Sequence, residues 1–372
     1  MKPFVKYPGG KTRELKYILP SLPDHINDYY EPFVGGGAVF FEIKHLVNGN
    51  CHLNDKSEDL FNLYTQIKYN PLELTRTLTL INDFLHLSDI ILEEMRDLAV
   101  SYLEIFENKE GNTIGTVVEQ HCNNLNTVVN IPGLEIHHNQ YLTELITRLT
   151  DKITRMYRIH LKNGISNTKD VISNIETGIK NTAYTLLRNR YNHPNNMDNA
   201  TKAALYYYIR EFCYSSMFRF NKNGEFNVPY GGMSYNHKYL DNKIANIDNR
   251  SITNYLEDVT IENLDFFDFF QDKLINNDDF IFLDPPYDTE FSTYDQNEFT
   301  LTDQERLSIF LQNCRCKFML IIKRTDYIED LYRNTTDGNN NPILVDTFHK
   351  NYSVSFMNRN NKRVEHLIIK NY

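Results

Sequence analysis

An apolar run of about 18 residues, the length a bilayer-spanning helix needs, occurs nowhere in this 372-residue chain. A helical membrane anchor is thereby excluded and a soluble protein expected. Nor does a continuous apolar stretch follow the first lysines in Met1-Lys2-Pro3-Phe4-Val5-Lys6, so no secretory leader is expected and the reading is cytoplasmic. Cysteine is scarce: Cys51, Cys122, Cys213, Cys314 and Cys316 are scattered, and Cys314-Arg315-Cys316 has neither metal-site spacing nor a second Cys/His pair beside it. Reduced structural thiols and no metal are expected. Positive charge is also short, 39 Lys and Arg against 49 Asp and Glu for a net of −10, which counts against nucleic-acid binding by the chain as a whole. No internal repeat is found.

The deficit is uneven. Between Lys180 and Arg250 ten basic residues face five acids, leaving that segment at +5 and the remainder at −15. A basic segment on an acidic body suits a protein that grips DNA with one face. At 41% apolar residues the chain can bury a substantial core, and its length suits one large domain carrying a smaller one.

Local patterns identify parallel βαβ construction. Apolar residues precede Gly35-Gly36-Gly37 at strand spacing and follow it at helical spacing, giving strand, glycine turn, helix. A second short strand, Cys51-His52-Leu53, ends at Asn54-Asp55, and Ser57 is placed to cap a helix through Leu60, Leu63, Tyr64 and Ile67. From about Pro71 to Ala204 amphipathic helical runs alternate with Asn-rich stretches, reading as a mainly helical insertion. Alternation returns with Phe280-Ile281-Phe282-Leu283, a helix from Thr302 to about Cys314 and a strand from Lys317 to Ile322. Tyr352 to Met357 and Val364 to Ile369 read as a β-hairpin around the polar run 358–362.

Four blocks carry chemistry. Glycines after a strand let a ligand approach the backbone, and the following helix N-terminus offers donors to an electronegative group. Asp55, about 20 residues on, stands where nucleotide-binding α/β folds place a carboxylate on ribose hydroxyls. The pair implies an adenosine-containing cofactor, with NAD, ATP and S-adenosylmethionine all compatible with the spacing. Pro8-Gly9-Gly10-Lys11-Thr12 imitates a phosphate loop but has Val5 where the first glycine is required; Lys11 is left as a partner for a carboxylate. Asp284-Pro285-Pro286-Tyr287 ends a buried strand in an acid, and its two prolines remove backbone donors while leaving carbonyl acceptors. Such an acceptor-rich site suits an exocyclic amino group, with the Tyr287 ring stacking on the base that carries it. Finally, Arg219-Phe220-Asn221-Lys222-Asn223-Gly224-Glu225-Phe226-Asn227-Val228-Pro229-Tyr230 reads as a hairpin turning at Asn223-Gly224, with Arg and Asn suited to guanine and adenine edges in the major groove.

In this order the blocks resemble the Dam family, the alpha group of DNA adenine-N6 methyltransferases, over roughly residues 3–75 and 205–372. Lys6-Tyr7-Pro8-Gly9-Gly10-Lys11 is similar to the family's Lys-Trp-x-Gly-Gly-Lys, in a chain without tryptophan. Glu31-Pro32-Phe33-Val34-Gly35-Gly36-Gly37 is similar to its cofactor loop, Asn54-Asp55 to its ribose acid, and Asp265-Phe266 to the pair contacting the cofactor adenine. Arg219 to Gly231 resembles its recognition block, Asp284 to Tyr287 its catalytic motif, and Arg363 to Ile368 its closing strand.

The resemblance implies a Rossmann-like S-adenosylmethionine-dependent α/β sheet from 1–75 and 255–372, with a helical target-recognition insertion at 76–254 bearing the hairpin 219–232. It implies a cofactor pocket of Tyr7, Lys11, Phe33, Gly35, Gly37, Asp55, Asp265, Phe266 and Asp284, and catalysis at Asp284, Pro285, Pro286 and Tyr287. DNA contacts are expected from Arg219, Asn221, Asn227 and Tyr230. Duplex DNA is the expected partner, in a restriction-modification or viral setting that would pair the enzyme with a cognate restriction endonuclease. Two departures stand out: Ser215-Ser216 replaces the Asn-Gly of GATC-specific members, and roughly 100 residues between about 80 and 200 have no counterpart, so no GATC target is inferred. An amino-methyltransferase acting on cytosine or RNA, and a catalytically silent DNA-binding module, remain as alternatives.

Overall fold

The computed structural model describes residues 1–7, 9–165, 167–286, 299–351 and 363–372. It divides into a sheet unit (Met1–Tyr69, Phe218–Asn227 and Ile252–Tyr372) and a helical unit (Asn70–Met217 and Val228–Ser251).

The sheet unit holds seven strands: β1 (Tyr29–Glu31), β2 (Cys51–Asn54), β3 (Val259–Glu262), β4 (Phe280–Leu283), β5 (Lys317–Lys323), β6 (Leu344–Asn351) and β7 (Arg363–Lys370). They lie in the order β3-β2-β1-β4-β5-β7-β6. The first five are parallel, and β7 runs antiparallel to both neighbours. This is a Rossmann-like α/β sheet. All four residues of β4 and the five inner residues of β5 are buried, because central parallel strands covered on both faces show continuous apolar runs instead of alternation. The order explains where a ligand would sit. β1, β2 and β3 build outward to one side while β4 and β5 build to the other, so a crevice opens beyond the carboxyl ends of β1 and β4.

One face of the sheet is covered by helices Phe266–Gln271, Leu301–Asn313 and Asp326–Tyr332. Phe269, Phe270, Leu307, Leu311, Ile328 and Tyr332 bury there against Ile281, Phe318, Leu320 and Leu367, each large apolar side chain contributing about 1.5–3 kcal/mol. Thr300 and Asp303 close a reciprocal capping box at the start of helix Leu301–Asn313, which fixes its entry beside β4.

Some expectations shift. Phe218–Asn227, expected within the insertion, belongs to the sheet unit. The reason is aromatic: Phe218, Phe220 and Phe226 pack on one another with ring centroids 5.7–5.9 Å apart, and Phe218 meets Tyr7 at 6.0 Å. The strand paired with β7 is β6, joined from Leu344↔Lys370 to Asn351↔Arg363, whereas the hairpin arm expected at 352–357 lies outside the described residues.

The helical unit is built on Pro71–Glu94, His138–Asn163, Thr168–Asn192 and Asn199–Phe212. Gly178 lets two of these approach closely: a methyl there would meet Leu149 Cδ2 at 2.5 Å. Of the ten cations counted between 180 and 250, Lys180 and Arg210 are buried at 2% and 0% exposure. Lys180 bonds Asp89 (2.6 Å), the Leu85 carbonyl (2.8 Å) and the Tyr239 hydroxyl (3.3 Å), and Arg210 donates to the Ser216 and Met217 carbonyls, both at 3.0 Å. The basic segment is thus partly interior, and its charge count overstates its surface.

Candidate active site

The acidic and glycine motifs converge at the carboxyl ends of β1, β2 and β4. After Glu31 the chain turns through Gly35 and Gly37, both left-handed with φ of 49° and 70°, a backbone state that glycine adopts without strain. Space matters as well. A methyl at Gly35 would lie 3.0 Å from the Tyr7 ring, so the close neighbour of this turn within the protein is Tyr7, itself one of the expected pocket residues.

Asp55, just past β2, bridges back to the turn. Its Oδ2 accepts the Gly35 N–H at 2.9 Å and its Oδ1 the Ser57 N–H at 3.0 Å. Burial pushes its carboxyl up to about 6, against the pull of those two backbone donors. Asn54 beside it is buried and ties three segments: Nδ2 donates to the Pro32 and Leu264 carbonyls at 3.0 Å, and Oδ1 accepts the Leu264 N–H at 2.9 Å. The loops after β1, β2 and β3 are thereby fixed together.

At the end of β4, Asp284 forms an ion pair with Lys11, 273 positions away in the chain. The ammonium is 3% and the carboxylate 19% exposed, and Lys11 also donates to the Gly9 carbonyl at 2.9 Å. Glu31 lies nearby, fully buried, its Oε2 accepting the Tyr29 hydroxyl at 2.8 Å. Burial holds its carboxyl well above the usual range; the Tyr29 bond opposes this, and the charge of Asp284 adds to it. The site therefore contains one cation among acids that would gain from a positively charged ligand.

Pro285 is buried and Pro286 exposed. Gln304, on helix Leu301–Asn313, donates through Nε2 to the Pro286 carbonyl at 3.3 Å. Its side chain is fully buried, and among the described residues its Oε1 has no partner. Tyr287 and Pro8 lie outside the described residues.

Phe33, Phe266 and Phe299 form an aromatic trio with centroids 5.5–5.7 Å apart. Asp265 caps helix Phe266–Gln271 through the Phe267 N–H at 3.0 Å and pairs with Arg306 at 2.9 Å. The Arg306 guanidinium sits 5.1 Å from the Phe266 centroid. Glu31, Asn54, Gln304 and Arg306 were not singled out from sequence, and only Glu31 and Asn54, lying inside the glycine and Asn-Asp motifs, carried a signal that could have found them.

In the hairpin, Asn221 and Glu225 face each other (N–H to carbonyl 2.8 Å) around a loop whose Gly224 is left-handed at φ 78°. Asn221 shapes the tip, its Oδ1 accepting the Asn223 and Glu225 N–H groups. Arg219 is exposed, with Nε donating to Asn227 Oδ1 at 2.8 Å. Tyr230 is apart from these: it is 7% exposed and packs in the helical unit on Tyr184 at 5.7 Å, where it fills core.

The profile of the family described as D12 class N6 adenine-specific DNA methyltransferase matches residues 7–133 and 133–344. The chain is 25% identical over 375 residues to Type II methyltransferase M.CviBI of Paramecium bursaria Chlorella virus NC1A, covering all of both chains. It is 24% identical to Type II methyltransferase M.MjaIII of Methanocaldococcus jannaschii, covering 91% of this chain and 89% of that one. A shorter match, 40% identical over 72 residues, covers 18% of this chain and 23% of the DNA adenine methylase of Haemophilus influenzae.

Proposed function

Since the chain belongs to the D12 class of N6 adenine-specific DNA methyltransferases, we propose that Lys11, Glu31, Asp55 and Asp284 form the working edge of its site, with S-adenosylmethionine as methyl donor. The observation that carries this reading is the Lys11–Asp284 pair beside a glycine turn pinned by Asp55. The donor set suits that cofactor: a carboxylate for ribose hydroxyls, an aromatic trio for a purine, and buried acid for a cationic centre. When bound, S-adenosylmethionine supplies an electrophilic methyl group on a sulfonium.

The protein's own residues do the rest. The target adenine leaves the base stack, at a cost of a few kcal/mol that contacts to DNA offset. The Asp284 carboxylate and the Pro285 carbonyl accept the two amino hydrogens, which turns the nitrogen lone pair out of conjugation with the ring and aims it at the methyl carbon. Lys11 holds the carboxylate in place, so catalysis rests on alignment and fixed electrostatics. Tyr287 is assigned the stacking role. Within the hairpin, Arg219 is assigned to base reading, oriented by Asn227.

The names of the two relatives matched over all or nearly all of their length support a Type II modification setting, with a restriction endonuclease of the same specificity as functional partner. The test is to express the protein in a host lacking adenine methylation and sequence the host DNA for modified bases. N6-methyladenine at one recurrent site is expected; N4-methylcytosine, or methylated RNA with unmodified DNA, would overturn the reading.

A further inference from the structure

The clearest cationic surface of the helical unit lies outside the segment whose composition suggested one. On helix His138–Asn163, Arg148, Lys152, Arg155, Arg158 and Lys162 fall within an arc of about 120° and spread along about 21 Å, given 3.6 residues and 5.4 Å per turn. The face turned inward is apolar, with Leu145, Leu149, Ile153 and Met156 buried. The helix's two acids, Glu144 and Asp151, fall within the same arc, Glu144 paired with Arg148 at 2.6 Å, so the arc keeps a net charge of +3. Arg155, Arg158 and Lys162 are exposed. Lys152 is pushed down, first by burial and then by the charge of Arg155. Elsewhere in the same unit the sign reverses: residues 93–119 carry seven acids and two bases. The arc keeps the opposite sign, and a polyanion would be drawn to its excess positive charge.

We propose that the exposed basic face of helix His138–Asn163 binds the sugar-phosphate backbone of the DNA duplex. The inference rests on the DNA substrate of the family and adds a contact surface that reads no sequence. Phosphate contacts set affinity and its salt dependence, whereas base contacts set discrimination, so the two roles separate experimentally.

The test compares the full chain with the triple variant R155Q/R158Q/K162Q for binding to an adenine-containing duplex across about 50 to 200 mM salt. Three lost phosphate contacts make the plot of log affinity against log salt shallower by roughly 2–3. The rate ratio between the recognised site and singly altered sites stays as in the unaltered protein, in contrast to Arg219→Ala, which narrows it. An unchanged salt slope in the variant, with steep dependence in the parent, removes the helix from the interface and leaves the methyltransferase reading intact. No salt-dependent duplex binding by the parent overturns both. Vesicles of phosphatidylserine and phosphatidylcholine provide the remaining control: binding that the variant loses there, with DNA binding unaltered, assigns the face to a membrane surface and rejects the proposal. Because the three side chains are exposed, an unfolding midpoint equal to the parent's is expected and shows that folding is not what changed.

Discussion

Two lysines, Lys11 in the sheet unit and Lys180 in the helical unit, are alike by every local measure. Each is buried, at 3% and 2% exposure, and each pairs with a partly accessible aspartate, Asp284 at 19% and Asp89 at 39%. Their surroundings differ. Lys180 spends its remaining donors on the Leu85 carbonyl and the Tyr239 hydroxyl, groups that join packed segments of one helical body. Lys11 instead holds an acid at the carboxyl end of β4, beside a second buried acid and the glycine turn. Burial and pairing mark both sites equally; position at the sheet's crevice separates chemistry from architecture.

The sharpest way to break this comparison is to remove one partner from each pair. Asp284→Ala should lower turnover by at least about 10²–10³-fold, the range seen when a preorganised transition-state partner is lost, while Lys11 keeps the Gly9 carbonyl and the protein still unfolds cooperatively. Near-normal methyl transfer by that variant would make the two lysines equivalent after all. For the other lysine, Lys180→Met is expected to lower unfolding free energy by about 1–3 kcal/mol, because Asp89 and the Leu85 carbonyl lose a charged donor. Methyl transfer per folded molecule should not change, and a fall in turnover at full folding would give the helical pair a catalytic part.

Asp55 sharpens the contrast within the sheet unit. Asp55→Ala should weaken cofactor binding by about 1.5–3 kcal/mol, the value of hydrogen bonds to a charged group, as read by calorimetry. Burial raises this carboxyl to about 6, above its unfolded value near 3.9. Its contribution therefore favours the folded state below that unfolded value and is lost as pH rises through about 6. Cofactor affinity runs the opposite way, growing as the carboxylate forms across that window, and Asp55→Asn should flatten the profile. A wild-type affinity independent of pH between about 5 and 7 would move ribose binding elsewhere.

The smallest effect belongs to Gln304. Replacing it with leucine removes the donor to the Pro286 carbonyl and also a buried oxygen without a partner, so stability should hold or rise slightly while turnover drops by about 1 kcal/mol, or several-fold. Unchanged KM for the cofactor alongside the lower turnover would identify a positioning role; a loss of stability with normal turnover would make it a packing residue.

The site was legible in sequence wherever a polar motif interrupts a short apolar run, as at Gly35, Asp55 and Asp284, because strand ends advertise themselves. Strand β3 was not, since Val259 alone of its four residues is buried and an edge strand has little apolar signal to offer. Gln304 and Arg306 escaped for a different reason. Polar residues on an amphipathic helix read as its wet face, and only the fold shows that Gln304 points into the core beneath Pro286. The same ambiguity made interior Lys180 and Arg210 count as surface charge, while the basic arc of helix His138–Asn163 passed as ordinary helix.

The 273 residues separating Lys11 from Asp284 also set a schedule. At about 5–20 residues per second of synthesis, the ribosome needs roughly 14–55 s between the two. During that interval β1 and β2 are already made, but β1 lacks the neighbour that Tyr29 and Tyr30 pair with at Phe280 and Ile281. The helical unit's long segment, Asn70–Met217, is complete well before that neighbour emerges. A nascent chain thus carries a finished helical body beside a half-built sheet whose open edge invites chaperones or misassembly, and no partial product can methylate anything before β4 has entered the centre.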